Sequence, residues 1–507
     1  MKRIYKILIG IFAVSITSVA AISIVWSYDT VRKIEATVND NIKIYLNNEQ
    51  KILTDTNGSK ISPVIINGRT YLPLRAVAGL SGFEVEWDSY NQAVMLSTDK
   101  DETVVHEENT NEARELTLWH FNKDESPNIV KLFNEIHPDI KIALSVIPDK
   151  DQQYQNKLTA AIRAGSGAPD VFAVESAFAK KFVNMPNAYA DLSEKAKNNV
   201  HNMIPYTIQV GTDNNGLLKA LSFQGAPGAL AFKKAAARKY LGTDDSTKIT
   251  DMVSTPEKML LAAKTLKEKS GGKVSLFPTF EEPLKMFIGG RSKSWVVNDK
   301  LTIDQKMLDF IDFAKTLRNN KYEASLDQWS PSWMSAIGSD EKALMWLCPY
   351  WGIPWIIGSN DVKSREGDRW GLAKPTYPYF WGGTWFGIYS KSDMQDIAWS
   401  FLKCITTDKD WMSNWAYDNQ DFPNNLQVIS EGAPEESNIM DTDLYKFYEP
   451  LLKDIKGTIQ TKYDDTIENF YIDCMRSYLA GKIKTKNDMI KTFKDKVKTG
   501  LKDVTVE

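Results

Sequence analysis

Glu115 to Ser176 reads ELTLWHFNKDESPNIVKLFNEIHPDIKIALSVIPDKDQQYQNKLTAAIRAGSGAPDVFAVES, and its pattern decides the fold. Leu116-Thr117-Leu118-Trp119 predicts a strand. Ser126-Pro127 then supplies an N-cap and a first-turn proline for a helix with Ile129, Val130, Phe133 and Ile136 on one face, and His137-Pro138 stops it. Ile140, Ile142, Leu144 and Val146 alternate with other residues as a second strand. Tyr154, Leu158, Ala161 and Ile162 stripe a second helix ending at Gly165, and Pro169 to Val174 forms a third strand. Strand, helix, strand, helix, strand is the pattern of an open parallel sheet, whose ligands lie beyond the carboxyl ends of its strands. His120, Asn122, Glu175 and Ser176 stand at those ends.

The whole chain of 507 residues exceeds what one hydrophobic core organises, so two or three domains are expected. Lys plus Arg number 62 against 65 Asp plus Glu, a net charge of -3 that makes no electrostatic case for a nucleic-acid partner. His106, His120, His137 and His201 share no ligand spacing, so neither a metal nor another cofactor is expected. Lys2, Arg3 and Lys6 precede a nearly unbroken apolar run from Ile7 to Trp26. Residues 1–30 therefore read as an export signal peptide or a retained membrane anchor. Ser18-Val19-Ala20 offers a cleavage triplet, and no cysteine follows that would carry a lipid. The early positive charges keep the amino terminus inside and place the rest of the chain outside. Cys348, Cys404 and Cys474 make an odd number, and buried free thiols are the expectation.

Residues 36–99 read as a small domain of short strands, with Asn57-Gly58 and Asn67-Gly68 as turn dipeptides. The run Asn67-Gly68-Arg69-Thr70-Tyr71-Leu72-Pro73-Leu74-Arg75-Ala76-Val77-Ala78 resembles the core of the copper amine oxidase N-terminal-like (stalk) domain of exported bacterial surface proteins. That resemblance implies an α+β module for attachment or spacing. It does not imply an oxidase, because the module contains no histidine to hold copper. Residues 100–114 are acidic and polar and read as an extended linker to a domain spanning 115–507.

Eight of the fifteen tryptophans fall between Trp329 and Trp385, densest in Leu347 to Trp355 (LCPYWGIPW) and Phe380 to Gly387 (FWGGTWFG). Such rings are either core aromatics or the wall of a concave site, and the flanking glycines and prolines suit loops that present rings to a ligand. Leu118 to Phe121, Leu132 to Lys141, Ala164 to Phe172, Lys342 to Trp346, Tyr350 to Gly352, Trp381 to Trp385 and Ala398 to Lys403 occur in an order and spacing that resemble a family 1 extracellular solute-binding protein. These are the sugar-binding receptors of ABC importers. The resemblance implies an α/β, two-lobed periplasmic-binding-protein-like (type II) fold with the ligand closed between the lobes. It further implies a carbohydrate ligand, ABC permease transmembrane subunits as partners, and a position at the outer face of the cytoplasmic membrane, anchored or secreted. Carried over residue by residue, it sets Trp119, Glu175, Gln224, Trp351, Trp381 and Trp385 at or beside cleft-lining positions. The chain departs from the family at Leu221 to Gly228, where relatives often carry a tyrosine and an acidic residue.

A sugar has an apolar face of C–H groups and a rim of hydroxyls, so its site needs indole faces together with carboxylates or amides at the edge. Two other readings remain open at this stage. A surface-attached carbohydrate-binding or adhesion protein would need the same site without a permease. A glycoside hydrolase would need two carboxylates facing across a cleft, for which Glu175, Glu281, Glu282 and Asp361 are available. Carboxylates are common, and no nucleophile elbow, phosphate loop, HExxH or CxxC occurs, so no enzyme is expected. Near the carboxyl end, Tyr463, Ile467, Phe470, Tyr471, Cys474 and Tyr478, then Met489, Ile490, Phe493 and Val497, stripe two packing helices.

Overall fold

Strand, helix, strand, helix, strand is what the computed structural model shows across the deciding stretch: β1 (Leu116–His120), α1 (Ser126–Ile136), β2 (Ile142–Val146), α2 (Gln153–Ala164) and β3 (Val171–Glu175). The structure describes residues 115–507 without 367–368, 434–436 and 441, and residues 37–98 without 39–41, 47–48, 55–59, 67–68, 75, 78–82 and 89–92. The apolar run Ile7 to Trp26 and the linker 100–114 lie outside the described residues. Among the described residues no helix is long and apolar enough to cross a membrane.

The chain divides into two compact units, Met1–Asn111 and Glu112–Glu507. In the first, Thr37–Val38, Val64–Ile66 and Arg69–Tyr71 form a three-stranded antiparallel sheet. Ile44–Leu46 pairs with Glu49–Lys51, and Phe83–Asp88 pairs with Ala93–Thr98, both antiparallel.

In the second unit β1 runs parallel to both β2 and β3, as the spacing predicted. The start of α1 differs in detail. Glu125 precedes the helix and Ser126 lies inside its first turn, donating its hydroxyl to the Asn122 carbonyl at 2.7 Å. Ile136, expected on the apolar face, is exposed, so the buried face of α1 ends at Phe133.

Two further strands complete this sheet. They are β4 (Leu221–Ser222) and β8 (Thr384–Ile388), and the order is β4-β8-β3-β1-β2. β8 pairs antiparallel with β3 across more than 200 residues of intervening sequence, Val174 opposite Trp385 and Glu175 opposite Thr384. A second, antiparallel sheet has β5 (Gly228–Lys233) between β6 (Met345–Pro349) and β7 (Trp370–Ala373).

The pleat sorts these strands' side chains into three apolar layers. Val171, Ala173, Phe386 and Ile388 belong to the outer layer of the first sheet, and Phe172, Val174 and Trp385 to its inner one. Ala229, Ala231, Trp346 and Trp370 join that inner layer from the second sheet, while Leu230, Phe232, Met345 and Leu347 face the far lobe. That lobe is packed by α4 (Glu281–Gly289), by α5 (Asp464–Leu479) and by helix Lys486–Gly500. Tyr471, Cys474 and Tyr478, then Met489, Phe493 and Val497, are buried there, as their stripes predicted.

Short segments carry the chain between the lobes and pair with one another. Gly228 N donates to the Tyr379 carbonyl at 2.9 Å and Trp381 N to that of Ala226 at 3.0 Å. Alongside, Gly225 N donates to the Phe422 carbonyl at 2.8 Å and Asn424 N to that of Phe223 at 3.0 Å. Cys348, Cys404 and Cys474 are all buried and unbridged. Burial pushes the Cys474 thiol up to about 11, that of Cys404 to about 12 and that of Cys348 further, so none is a thiolate at neutral pH.

Candidate ligand groove between the lobes

A groove of about 170 Å³ opens where β3 runs into α3 (Ser176–Val183). Glu175, Ser176 and Lys180 line it from one lobe, Lys285, Arg291 and Asp465 from the other, and Trp381 comes from a crossing segment. Glu175 ends β3 and caps α3, accepting from Ala177 N at 2.8 Å while the Ser176 hydroxyl donates to its other oxygen. Its carboxyl is held above the ordinary range, first by burial and also by the Asp465 charge, against the pull of those hydrogen bonds and of Lys285.

The ring of Trp381 is part-buried and lies 5.6 Å from Trp351 at 68° and 5.5 Å from Trp329 at 63°. Trp351 also donates its Nε1 to the Trp381 carbonyl at 2.6 Å. Gly382 and Gly383 make this possible. Both have positive φ (89° and 103°), and a Cβ on Gly382 would stand 2.6 Å from Trp351 Nε1. Gly383 leads into β8, and its carbonyl accepts from the N of Ser176, the first residue of α3, at 3.0 Å. The W-G-G-T run is thus the joint that sets Trp381 beside Glu175.

Of the six residues expected in the cleft, Glu175 and Trp381 line this groove, and Trp351 is joined to it through the ring and carbonyl of Trp381 without lining it. Gln224 lies on the neighbouring crossing segment. Its Nε2 donates to Glu125 Oε1 at 3.1 Å and to Asp421 Oδ2 at 2.9 Å. Trp119, half-buried at the end of β1, has Lys157 Nζ 4.5 Å above its ring and is not among the groove-lining residues. Trp385 requires a correction. It is fully buried between the two sheets and donates Nε1 to the Thr207 carbonyl at 3.0 Å. As an inward residue of β8 it is core, and it presents no face to a ligand.

The other carboxylates weighed for catalysis are held by internal partners. Glu282 accepts from Leu347 N and Trp333 Nε1, Asp361 from Trp370 Nε1 and Arg369 Nε, and Glu281 from Arg476. Reasoning from sequence missed Glu125 and Asp421. The two share the Gln224 amide, and Trp415 Nε1 donates to Asp421 Oδ2 at 2.9 Å. Burial, together with the neighbouring Asp421, pushes Glu125 up to about 8, and burial pushes Asp421 up to about 6. Neither carries a mark in the sequence, for Glu125 is the residue before α1 and Asp421 lies in the loop between helices Lys409–Asn419 and Leu426–Ser430.

The model of the bacterial extracellular solute-binding protein family matches residues 123–410. The chain belongs to that family. The copper amine oxidase N-terminal domain model matches residues 28–96 and 51–114 of this solute-binding protein. Among solved structures, an extracellular solute-binding protein family 1 member is similar at 16% identity and a TM-score of 0.70, covering 76% of this chain and 99% of its own. The galacto-N-biose/lacto-N-biose I-binding protein of a Bifidobacterium longum ABC transporter, in complex with lacto-N-biose, is similar at 17% identity and a TM-score of 0.60, covering 78% and 99%. The sugar-binding protein MalE from Xanthomonas citri is similar at 14% identity and a TM-score of 0.63, covering 77% and 98%. At these identities the likeness is one of fold. No curated protein matches the sequence.

Proposed function

We propose that this solute-binding protein closes its lobes on a carbohydrate and delivers it to an ABC permease. The observation that carries the reading is the meeting of a part-exposed Trp381, flanked by Trp351, with the Glu175 carboxylate in one inter-lobe groove. An indole face suits the apolar side of a pyranose, and a helix-capping carboxylate accepts from its hydroxyls. Glu175, Gln224, Trp351 and Trp381 are the contacts we assign to the ligand. Solved proteins of the same fold include receptors described as complexes with lacto-N-biose and with β-1,6-galactobiose, which supports a glycan over other solutes. We expect binding without turnover.

A glycan panel read by thermal shift tests the proposal, since a ligand at a hundred times its Kd stabilises by ~2.7 kcal/mol. Binding should also quench or shift tryptophan emission. Trp381→Ala should weaken binding by more than about tenfold, ~1.4 kcal/mol, with only a modest loss of stability, because a part-solvated ring leaves no sealed cavity. A panel without a single shift would overturn the carbohydrate reading.

Residues 36–99 serve in this proposal as a spacer, and Ile7 to Trp26 as the anchor at the outer face of the membrane. Deleting residues 1–110 should leave affinity nearly unchanged, because the second unit contains the whole groove. A loss beyond about tenfold would make the small domain part of the site. The full-length protein should sediment with membranes after lysis, and a mature amino terminus at Ala21 would replace the anchor with a cleaved signal.

A further inference from the structure

The Gln224 amide is held by two acids at once. Its Nε2 donates to Glu125 Oε1 at 3.1 Å and to Asp421 Oδ2 at 2.9 Å, so both of its N–H bonds are taken up inside the protein. The three residues come from three segments. Glu125 precedes α1 in the lobe of the first sheet, whereas Gln224 and Asp421 stand on the two paired crossing segments, where Gln224 bridges Pro423. Among the described residues the other donors to the two carboxyls are neutral: Asn122 Nδ2 at 3.0 Å and Thr384 for Glu125, Trp415 Nε1 at 2.9 Å and Phe422 N at 2.8 Å for Asp421. No lysine, arginine or histidine figures among the groups that perturb either acid. Lys123, Asp124 and Asp418 lie nearby in sequence and are exposed. Around Asp421 stand the buried phenols of Tyr206, Tyr350 and Tyr445, which burial keeps protonated, with Asp443 beyond the last two. Two carboxylates on one amide nitrogen, without a cation and partly out of water, ionise together only at a high electrostatic cost, so one proton stays on the pair. Burial, with the Asp421 charge added, pushes Glu125 up to about 8, and the proton therefore leaves in alkaline solution.

We propose that Glu125, Gln224 and Asp421 form a proton-held clasp at the joint between the lobes. With one proton on the two acids, Gln224 ties the start of α1 to both crossing segments. When that proton passes to solvent, the two negative charges repel, Glu125 leaves the amide, and Asp421 keeps it because Trp415 and Phe422 N hold Asp421 in place. The crossing segments then lose their tie to the first lobe, and the joint loosens. The sign follows from the raised value of Glu125: the clasp is complete below about pH 4.5 and is lost as pH rises through about 8. The clasp does not depend on what the groove binds.

Amide hydrogen exchange on the full chain without ligand, at pH 6.5 and pH 9 with labelling times scaled to the intrinsic rate, tests this. Peptides covering the start of α1 and the two crossing segments should lose protection by at least about tenfold at pH 9. Helix Lys486–Gly500, packed in the far lobe, should keep its protection and so mark the change as local. Glu125→Gln and Asp421→Asn each remove one charge of the pair while keeping an oxygen for the Gln224 amide, and each should abolish the pH-dependent loss. Either variant alone suffices if the other does not fold. Equal protection of the wild type at both pH values overturns the clasp. So does a loss in the variants that matches the wild type, or a loss that spreads to helix Lys486–Gly500, which is general unfolding. The carbohydrate reading stands in each of these cases, because no ligand enters the measurement.

Discussion

Trp385→Ala is expected to lower folding stability by about 3–5 kcal/mol while the molecules that remain folded bind ligand with wild-type affinity. The ring has no solvent exposure, packs between the two sheets of the second unit and satisfies its Nε1 on the Thr207 carbonyl. Its removal opens a cavity walled by both sheets, which cannot collapse without moving strands. Urea melts and calorimetric affinity on the same preparation separate this from a ligand role. Near-native melting with a large loss of affinity would return Trp385 to the groove. Trp381→Ala should show the opposite pair of results, although only Gly382, Gly383 and Thr384 separate the two indoles in sequence.

Glu125→Gln should raise stability at pH 8 and flatten the fall of stability between pH 5 and 8. The Glu125 carboxyl is surrounded by Asn122, Gln224, Thr384 and Asp421, and no cation figures among the groups that perturb it. Its folded-state value of about 8 stands above the ordinary 4.5, so the folded protein holds this proton more tightly than the unfolded chain. The stabilisation linked to it is therefore complete below about pH 4.5 and is lost as pH rises through about 8. Asp421, at about 6 against 3.8, acts with the same sign at lower pH. An amide at position 125 keeps the shape and removes the charge repelling Asp421. Each tenfold difference in proton affinity between the folded and unfolded chain corresponds to ~1.4 kcal/mol, and the gain at pH 8 should be about 2–4 kcal/mol. Melts of both proteins at pH 5, 6.5 and 8 read it, and parallel pH dependences would mean that Glu125 stays ionised throughout.

Much of this protein is legible before any coordinate. The alternation of β1 to β3, the stripes of α1 and α2, and the Gly165 and His137-Pro138 stops are local, because side-chain period and backbone breakers act over a few residues. They determine the parallel half of the first sheet and place Glu175 at a strand end. The stripes around Cys474 and Phe493 likewise determine two helices of the far lobe. Tertiary structure alone decides what pairs across the chain. No local signal inserts β8 between β3 and β4, for its register is set by residues more than 200 positions away from it on one side. That insertion then separates Trp381 from Trp385. The two positive-φ glycines turn one indole into the groove, and the pleat of β8 turns the other into the core. Glu125 and Asp421 follow the same rule, since a carboxylate's surroundings depend on which loops fold against it, and Gln224 meets both only after three distant segments converge.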